Sequence, residues 1–347
     1  MGRNYSLQAL RAIAAVLVVF AHTITQINMA SEINGYLGYV LKTIESLGGL
    51  GVYIFFIISG YIMSYTTCDK KGGRQEAISF LKKRFLRVYP VYWICLSIMT
   101  IGWAGGIFLK SHDYSIYKVI ASYLLLPFSD PYSGNINPIL SQGWTLMYEI
   151  FFYFSFSVLL YLDVKGLKKV YYLLGFYFFV YFFGRFNFFP WFSLNLFLQK
   201  PSFFLFILGM IFFECQVVFR HLLHNYLLRL FIVVICIFLL FYVFDPNCSI
   251  KPDFIMYPLS ALIFLLFNSC NINNRTLNLL GDSSYSIYLT HGFIVLMFGN
   301  IIKRLDVNYN YALLFSSIPF IFSIMIGVYF YKYVETKVIY KSKLIFS

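Results

Sequence analysis

The sequence predicts an all-α protein, a polytopic transmembrane helical bundle of about ten spanning helices with both termini in the cytoplasm. Of its 347 residues 60% are hydrophobic and only 12% are charged, with a mean hydropathy of +0.74, which is more apolar surface than a soluble fold needs. Nine apolar runs have about the length that crosses a bilayer, and a tenth, at about 201–214, is shorter and would have to extend or tilt. The lysines and arginines divide unevenly between the two sides, with 18 on the side of the N-terminus and 8 on the other, and cytoplasmic loops carry such an excess.

The apolar runs follow one another along nearly the whole chain, at about 7–26, 46–66, 89–109, 143–161, 170–188, 201–214, 227–244, 254–270, 283–302 and 311–331. An amphipathic run at about 115–128 is expected to be a re-entrant or interfacial piece. The longest stretch outside the spans, about 110–142, is too short to bury a core of its own. We therefore expect a single membrane-embedded domain over 1–347, with its core at 7–335 and no fused soluble domain.

The charge and the cysteines argue against several other functions. The formal net charge is +13, but in a membrane chain a basic excess is first a topology signal, so we expect no nucleic-acid partner. The six cysteines are scattered without a CxxC pair, and Cys248 is expected to be the only one in an outer loop. The sequence therefore predicts neither a disulfide framework nor a metal site. The first run lacks a small-residue cleavage site and is predicted to be a retained helix.

The first apolar run carries two ionisable residues, Arg11 and His22. Their separation amounts to three turns plus about 20°, so both lie on one helical face, about 16 Å apart along the axis. Ionisable groups inside a spanning helix usually face a protein interior or a water-filled cavity and mark function. The pair suggests an anion anchor near the cytoplasmic face and proton chemistry deeper in the bilayer. The alternative is structural: Arg11 snorkels to the interface and His22 is a hydrogen-bonded residue between helices.

Two further arginines, Arg84 and Arg87, precede the third span at a spacing that places them on one helical face. They are expected on the cytoplasmic side, at a depth similar to that of Arg11. Three guanidinium groups there would suit a phosphate-bearing ligand, because Arg donates bidentate hydrogen bonds to phosphate oxygens. The positive-inside rule explains the same residues without any ligand.

Glu149 is the one carboxylate well inside an apolar and aromatic span, so it needs a hydrogen-bonding partner, a proton or water. Its helix enters from the outer side, which puts Glu149 about two turns in, at a depth like that of His22. A carboxylate that orients an imidazole, or supplies a second acid or base, is a recurrent catalytic arrangement. A structural glutamate bonded to a tyrosine or to the backbone fits the sequence equally well.

Six stretches occur in the order found in one protein family: LRAIAAVLVVFAH, GVYIFFIISG, KKRFLRVYPVYW, SQGWTLMYEIFFY, GDSSYSIYLTHGFIV and YKYVE. Together they resemble the acyltransferase-3 family of bacterial integral-membrane O-acyltransferases, especially its exopolysaccharide- and O-antigen-acetylating members. The resemblance covers about 8–335 and implies an essential role for Arg11 and His22. One departure matters: Ile150 stands where many members have a second acid, so a mechanism that needs two adjacent carboxylates is not supported.

The resemblance also implies a reaction. A short acyl group, typically acetyl, would pass from cytoplasmic acyl-CoA to a sugar hydroxyl of a cell-surface polysaccharide or lipid-linked glycan precursor at the bacterial cytoplasmic membrane. Acyl-CoA would be a co-substrate, and no tightly bound cofactor is expected. The pantetheine arm would run along the first helix, where His22 is the general base and Glu149 orients it or binds the sugar. The acyl group would either pass directly to the hydroxyl or rest on His22 before the acceptor arrives. The residues expected to act are His22 and Glu149 in catalysis, Arg11, Arg84 and Arg87 on the CoA phosphates, and Trp144 and His291 on the substrate.

Two other classes of protein stay open on the sequence. A secondary transporter or flippase of a lipid-linked sugar would also use intramembrane Arg, His and Glu, as a proton relay, although no convincing repeat between the halves of the chain favours it. An aromatic-rich scaffold protein would need Arg11 and His22 for stability alone. A transporter needs no acyl donor, so binding of acyl-CoA separates it from the enzyme.

Overall fold

The computed structural model describes residues 4–31, 35–109, 112–130, 134–245, 252–305 and 307–346. Every regular element within these ranges is a helix, which confirms the all-α fold class. The prediction for Cys248 lies outside the described residues, as do three charges of the topology count, those of Arg3, Lys110 and Lys251. The cysteines within the described ranges are free thiols.

The helices are numbered α1 to α16 in chain order. The first eight are α1 Tyr5–Ser31, α2 Gly35–Thr67, α3 Arg74–Ala104, α4 Ile116–Leu124, α5 Gly143–Tyr161, α6 Leu167–Arg185, α7 Phe192–Leu198 and α8 Phe204–Glu214. The last eight are α9 Gln216–Leu222, α10 Tyr226–Val243, α11 Pro252–Ser269, α12 Arg275–Asp282, α13 Ser284–Leu305, α14 Tyr309–Leu314, α15 Ser317–Phe330 and α16 Thr336–Phe346. A 3₁₀ turn at Pro201–Phe203 precedes α8, and a π-helical segment at Tyr331–Glu335 joins α15 to α16.

All ten apolar runs of the sequence fall on helices. Eight helical segments of the described chain are long and apolar enough to cross a membrane, and α7 with α8, bent by 51°, make a ninth if they form one broken span. The remaining predicted span is α6, whose 19 residues include many tyrosines, two lysines and a terminal arginine that lower its hydropathy. The largest shift in bounds is in α2 and α3, which begin at Gly35 and Arg74 and so include the polar segments before their apolar runs.

The chain forms two compact units. The first comprises Met1–Ile58 and Cys215–Val334, and the second comprises Ser59–Glu214 and Glu335–Ser347. One boundary falls inside α2 and another inside the π-helical segment. Each unit is therefore assembled from segments that are distant in sequence.

In the first unit α1 runs parallel to α12 and α13. Three contacts share an offset of 273 residue numbers: Gln8 with Gly281, Arg11 with Ser284, and Gln26 with Gly299. A Cβ at Gly281 would lie 2.2 Å from the carbonyl oxygen of Gln8, so only glycine permits this approach of the two backbones. Because the offset is constant, the two helical paths advance together and the facing residues are fixed.

In the second unit α3 packs against α5 through aromatic rings. The ring centroid of Phe80 lies 6.1 Å from that of Tyr153 and 5.3 Å from that of Phe156, and all three side chains are buried. Such ring pairs add to the free energy that the burial of their area contributes. The aromatic content of the sequence thus builds the interior of this unit.

The predicted amphipathic run at 115–128 contains α4. The hydroxyl of Ser115 caps this helix by accepting a hydrogen bond from the backbone N–H of Lys118. The Lys118 side chain is buried, and its Nζ donates to the carbonyl oxygens of Phe128 at 2.8 Å and Asn135 at 2.6 Å. A buried cation needs such partners, so Lys118 attaches α4 to the loop that follows it.

Candidate active site

Two histidines meet in the first unit. Nδ1 of His22 on α1 lies 2.7 Å from Nε2 of His291 on α13. His291 is 0% exposed, whereas the ring of His22 is exposed. The two residues are 269 positions apart, one helical turn short of the common offset between these helices. A side chain on a helix points back toward its N-terminus, which explains why His22 reaches the residue one turn earlier on α13.

The two imidazole rings meet edge to edge. Their planes are inclined by 17° and their centroids are 5.0 Å apart, about the separation of two coplanar five-membered rings joined through one short N–N contact. Rings that overlapped face to face would be closer. The contact is therefore a nearly linear N–H···N hydrogen bond, and this geometry favours strong hydrogen bonding.

Arg11 of α1 lies beside the first residue of α13. Its Nη2 donates to the hydroxyl of Ser284 at 2.9 Å, and Ser284 is fully buried. Between this contact and the histidine pair, Ala15, Val19 and Ile287 form a buried apolar cluster. The guanidinium and the imidazoles are thus held at separate levels of the same helix pair, as the spacing of Arg11 and His22 predicts.

Glu149 of α5 has its described partners within the second unit. It accepts a short hydrogen bond from the hydroxyl of Tyr153, one turn further along α5, and a longer one of 3.4 Å from the hydroxyl of Ser59. The carboxylate is half-buried and Tyr153 is buried. Both hydroxyls donate to a carboxyl oxygen, so this polar group has hydrogen-bond partners inside the span. The role toward His22 that the sequence suggests for Glu149 stays a prediction.

The two arginines of α3 differ in their surroundings. The guanidinium of Arg84 lies over the rings of Phe80 and Tyr153, at 5.4 and 5.9 Å from their centroids, and its Nη2 donates to the hydroxyl of Thr66 at 3.4 Å. Its Nε is buried and has no hydrogen-bond partner among the described residues. Arg87, one turn along the helix, is exposed. Arg84 therefore packs on aromatic faces, as guanidinium groups do, while Arg87 is accessible.

Trp144 lies in the first turn of α5, half-buried, with its ring edge-on to that of Tyr148 at 6.0 Å. Two residues that the sequence did not single out contact predicted site residues within their own units, namely Ser284 beside Arg11 in the first unit and Tyr153 beside Glu149 in the second. The contact of Tyr153 with Glu149 could have been predicted from the sequence, because side chains four residues apart on a helix are neighbours. The contact of Ser284 could not, because its partner lies on a distant helix.

These features define a class of protein: a polytopic membrane protein whose spanning helices carry a histidine pair and an arginine near an apolar interior. The chain belongs to the acyltransferase-3 family, since the family model, described as an acyltransferase domain, matches residues 4–333. This confirms the resemblance found in the sequence. No solved structure matches the chain significantly.

Curated relatives share parts of the chain. It is 37% identical to exopolysaccharide production protein ExoZ of Rhizobium meliloti (strain 1021) over 112 residues, which make up 32% of this chain and 34% of that protein. It is 27% identical to nodulation protein 10 of Rhizobium leguminosarum bv. viciae over 172 residues, 46% of this chain and 45% of that protein. It is 30% identical to an O-acetyl transferase of Shigella phage Sf6 over 162 residues, 44% of this chain and 45% of that protein. The chain thus spans between a third and a half of the length of each relative.

Proposed function

We propose that the protein is a membrane-bound O-acyltransferase that moves an acetyl or other short acyl group from cytoplasmic acyl-CoA to a sugar hydroxyl. The acceptor is a cell-surface polysaccharide or a lipid-linked precursor of one, and the enzyme resides in the bacterial cytoplasmic membrane. The observation that carries the proposal is the exposed His22 ring, hydrogen-bonded to a buried histidine inside a spanning helix of an acyltransferase domain. The relatives named for exopolysaccharide production and for O-acetyl transfer support the choice of acceptor and acyl group.

His22 serves as the general base. A neutral imidazole removes the proton from the acceptor hydroxyl as its oxygen attacks the thioester carbonyl carbon. The carbon–sulfur bond then breaks, and the CoA thiolate takes up the proton that His22 holds. A histidine is suited to both steps because its ordinary pKa lies near physiological pH.

The arginines serve the donor. Arg87 is exposed on α3, in the part that the positive-inside rule predicts to face the cytoplasm, and is proposed to bind a phosphate group of CoA through paired N–H donors. Arg84 and Arg11 are proposed to bind the donor as well, each with one N–H group already held by Thr66 or Ser284. The stripe of α1 between Arg11 and His22 is not open to the pantetheine arm, because Ala15 and Val18 there are each 1% exposed. The arm therefore approaches His22 from another side.

Glu149 and Trp144 serve the acceptor. A carboxylate that is already hydrogen-bonded by Tyr153 and Ser59 still has lone pairs for a sugar hydroxyl. The indole of Trp144 is a ring on which a sugar can pack. We propose that these two residues bind the acceptor without exchanging its proton.

The test is turnover of acetyl-CoA by the purified protein in nanodiscs, with and without a lipid-linked or polymeric glycan, read as free CoA and as acetyl label on glycan. We expect CoA release that depends on the glycan and label that appears on it. Label that accumulates on the protein before the glycan is added would replace direct transfer by an acyl-histidine relay. Absence of both acyl-CoA binding and turnover, with proton-coupled movement of a lipid-linked sugar in proteoliposomes, would contradict the proposal in favour of a transporter.

A further inference from the structure

Both ring nitrogens of His291 are engaged. Its Nδ1 lies 3.1 Å from the carbonyl oxygen of Ile287, one turn earlier on α13, and its Nε2 lies 2.7 Å from Nδ1 of His22. A carbonyl oxygen can only accept a hydrogen bond. The proton of His291 is therefore on Nδ1.

His291 is neutral. It is 0% exposed, and its hydrogen bonds go to a carbonyl oxygen and to another imidazole, with no carboxylate among its partners in the described part of the chain. A charge without a partner in an apolar interior is costly. A neutral imidazole carries a single N–H group, which is already placed on Nδ1, so Nε2 of His291 is an acceptor.

The tautomer of His22 follows from that of its partner. Because Nε2 of His291 accepts, Nδ1 of His22 donates, and the lone pair of a neutral His22 is on Nε2. That nitrogen has no hydrogen-bond partner among the described residues, and the His22 ring is exposed. The edge-to-edge arrangement of the rings gives the N–H···N bond the direction that it needs.

We propose that His291 is a positioning residue, which holds His22 in the Nδ1–H form and directs the Nε2 lone pair of His22 toward the acyl acceptor. This inference rests on the proposed function of His22 as general base. In the transfer, the acceptor proton moves to Nε2 of His22, the acceptor oxygen bonds to the acyl carbon, and the thioester sulfur leaves and takes that proton. The Nδ1–H group donates to His291 throughout, so the imidazolium form of His22 has its partner in place when it forms.

This role differs from the substrate contact that the sequence suggests for His291. A fully buried ring behind His22 acts on the reaction through His22. It takes the place that a carboxylate or carbonyl group occupies behind many catalytic histidines. A neutral partner also avoids a second charge inside the bilayer.

Replacements of His291 separate positioning from packing. The side-chain carbonyl of glutamine reaches about as far as Nε2 of histidine and can accept from His22, whereas that of asparagine is one atom shorter and leucine accepts nothing. We expect His291→Gln to keep at least about a tenth of the wild-type kcat, and His291→Leu and His291→Asn to lose about 10²- to 10³-fold. The KM for acyl-CoA should change little in all three, and the acid limb of the pH–rate profile should move in the leucine variant. Equal kcat in all three variants, or losses that follow their folded yield, would overturn the inference.

A measurement on the wild-type protein tests the inference even if these variants fail to fold. Ring ¹⁵N spectra of the full chain in nanodiscs report which nitrogen of each of its five histidines carries the proton, and the spectrum of His22→Gln assigns the signal of His22. We expect His22 to be protonated on Nδ1 and unprotonated on Nε2 at neutral pH. An active protein with its His22 proton on Nε2 would overturn this inference alone. The expected tautomer in a protein that transfers no acyl group would support the assignment of the tautomer and contradict the proposed function.

Discussion

The His22–His291 pair and the Glu149–Tyr153–Arg84 group both place ionisable side chains inside spanning helices, but they satisfy them differently. In the pair, two rings share one hydrogen bond, and Nε2 of the exposed ring has no described partner. In the group, a carboxylate accepts two hydroxyl donors and a guanidinium lies over aromatic rings. The first arrangement leaves one nitrogen available for chemistry, whereas the second compensates its charges internally.

The roles of intramembrane polar residues depend on how their hydrogen bonds are satisfied. A charge with several fixed partners stabilises a helix contact, and its removal is expected to affect folding first. An accessible atom whose direction is set by a buried partner is costly for stability and useful for catalysis. On this basis we propose that the histidine pair is the reacting centre and that the glutamate group holds helices and binds ligand. Five variants test these proposed roles.

The largest expected effect is on the turnover of His22→Ala. Loss of the general base should lower kcat by about 10²- to 10⁴-fold, with little change in the melting temperature of the purified protein. The matched control is His221→Ala, since His221 is exposed on α9 and should leave kcat unchanged. A His22→Ala protein that is fully folded and as active as the control would remove His22 from the mechanism.

Tyr153→Phe should act on stability more than on chemistry. It removes the hydroxyl donor of a half-buried carboxylate, which should cost about 1–3 kcal/mol in the free energy of unfolding. The double variant with Glu149→Gln should be less destabilised than the sum of the two single variants, because the two residues share one bond. Additive losses in SDS unfolding titrations would mean that this bond contributes nothing.

Gly281→Ala perturbs the helix packing that positions the histidine pair and leaves both histidines unchanged. Its methyl group would come within 2.2 Å of the Gln8 carbonyl oxygen, so α1 and α12 must separate, at a cost of about 1–3 kcal/mol. Gly175→Ala on α6 is the control, because a Cβ there meets nothing within 4 Å. Thermal unfolding and turnover should both decline in the first variant alone; equal behaviour of the two would contradict the close packing at Gly281.

The smallest effect is expected for Arg87→Ala. Loss of an exposed arginine that is proposed to bind a phosphate group of the donor should raise the KM for acyl-CoA by about 10-fold, worth about 1.4 kcal/mol, and leave kcat unchanged. Lys83→Ala is a suitable control, since Lys83 is also exposed on α3. Arg84→Ala should raise this KM as well and should also lower the melting temperature, because it removes a guanidinium that packs on Phe80 and Tyr153. A larger loss of melting temperature in Arg87→Ala than in Arg84→Ala would contradict the packing role assigned to Arg84.

Hydropathy was enough to predict the long apolar helices, because the requirement for about 20 apolar residues in a span is local, but short helices such as α7, α9 and α12 were not predicted. The bounds of α2 and α3 were less predictable, since a helix can continue past the membrane into polar sequence such as that before Phe80. That Arg11 and His22 lie on one face of α1 also follows from the helical period. The pairing of His22 with His291 does not, because it depends on the register of two helices that are 269 residues apart. That register is fixed by close backbone contacts such as Gly281 on Gln8, which a sequence alone does not pair.

The proposal that the histidine pair, and not Glu149, handles the proton is tested by the pH dependence of kcat/KM for acyl transfer to glycan. Glu149→Gln is measured beside the wild type over the pH range in which histidine titrates. If the histidine pair handles the proton, the acid limb of the profile persists in Glu149→Gln with its midpoint unchanged, even where the rate is lower. If Glu149 is the base, that limb disappears with the carboxylate. Loss of the acid limb in a folded Glu149→Gln protein would contradict the assignment of catalysis to His22 and His291.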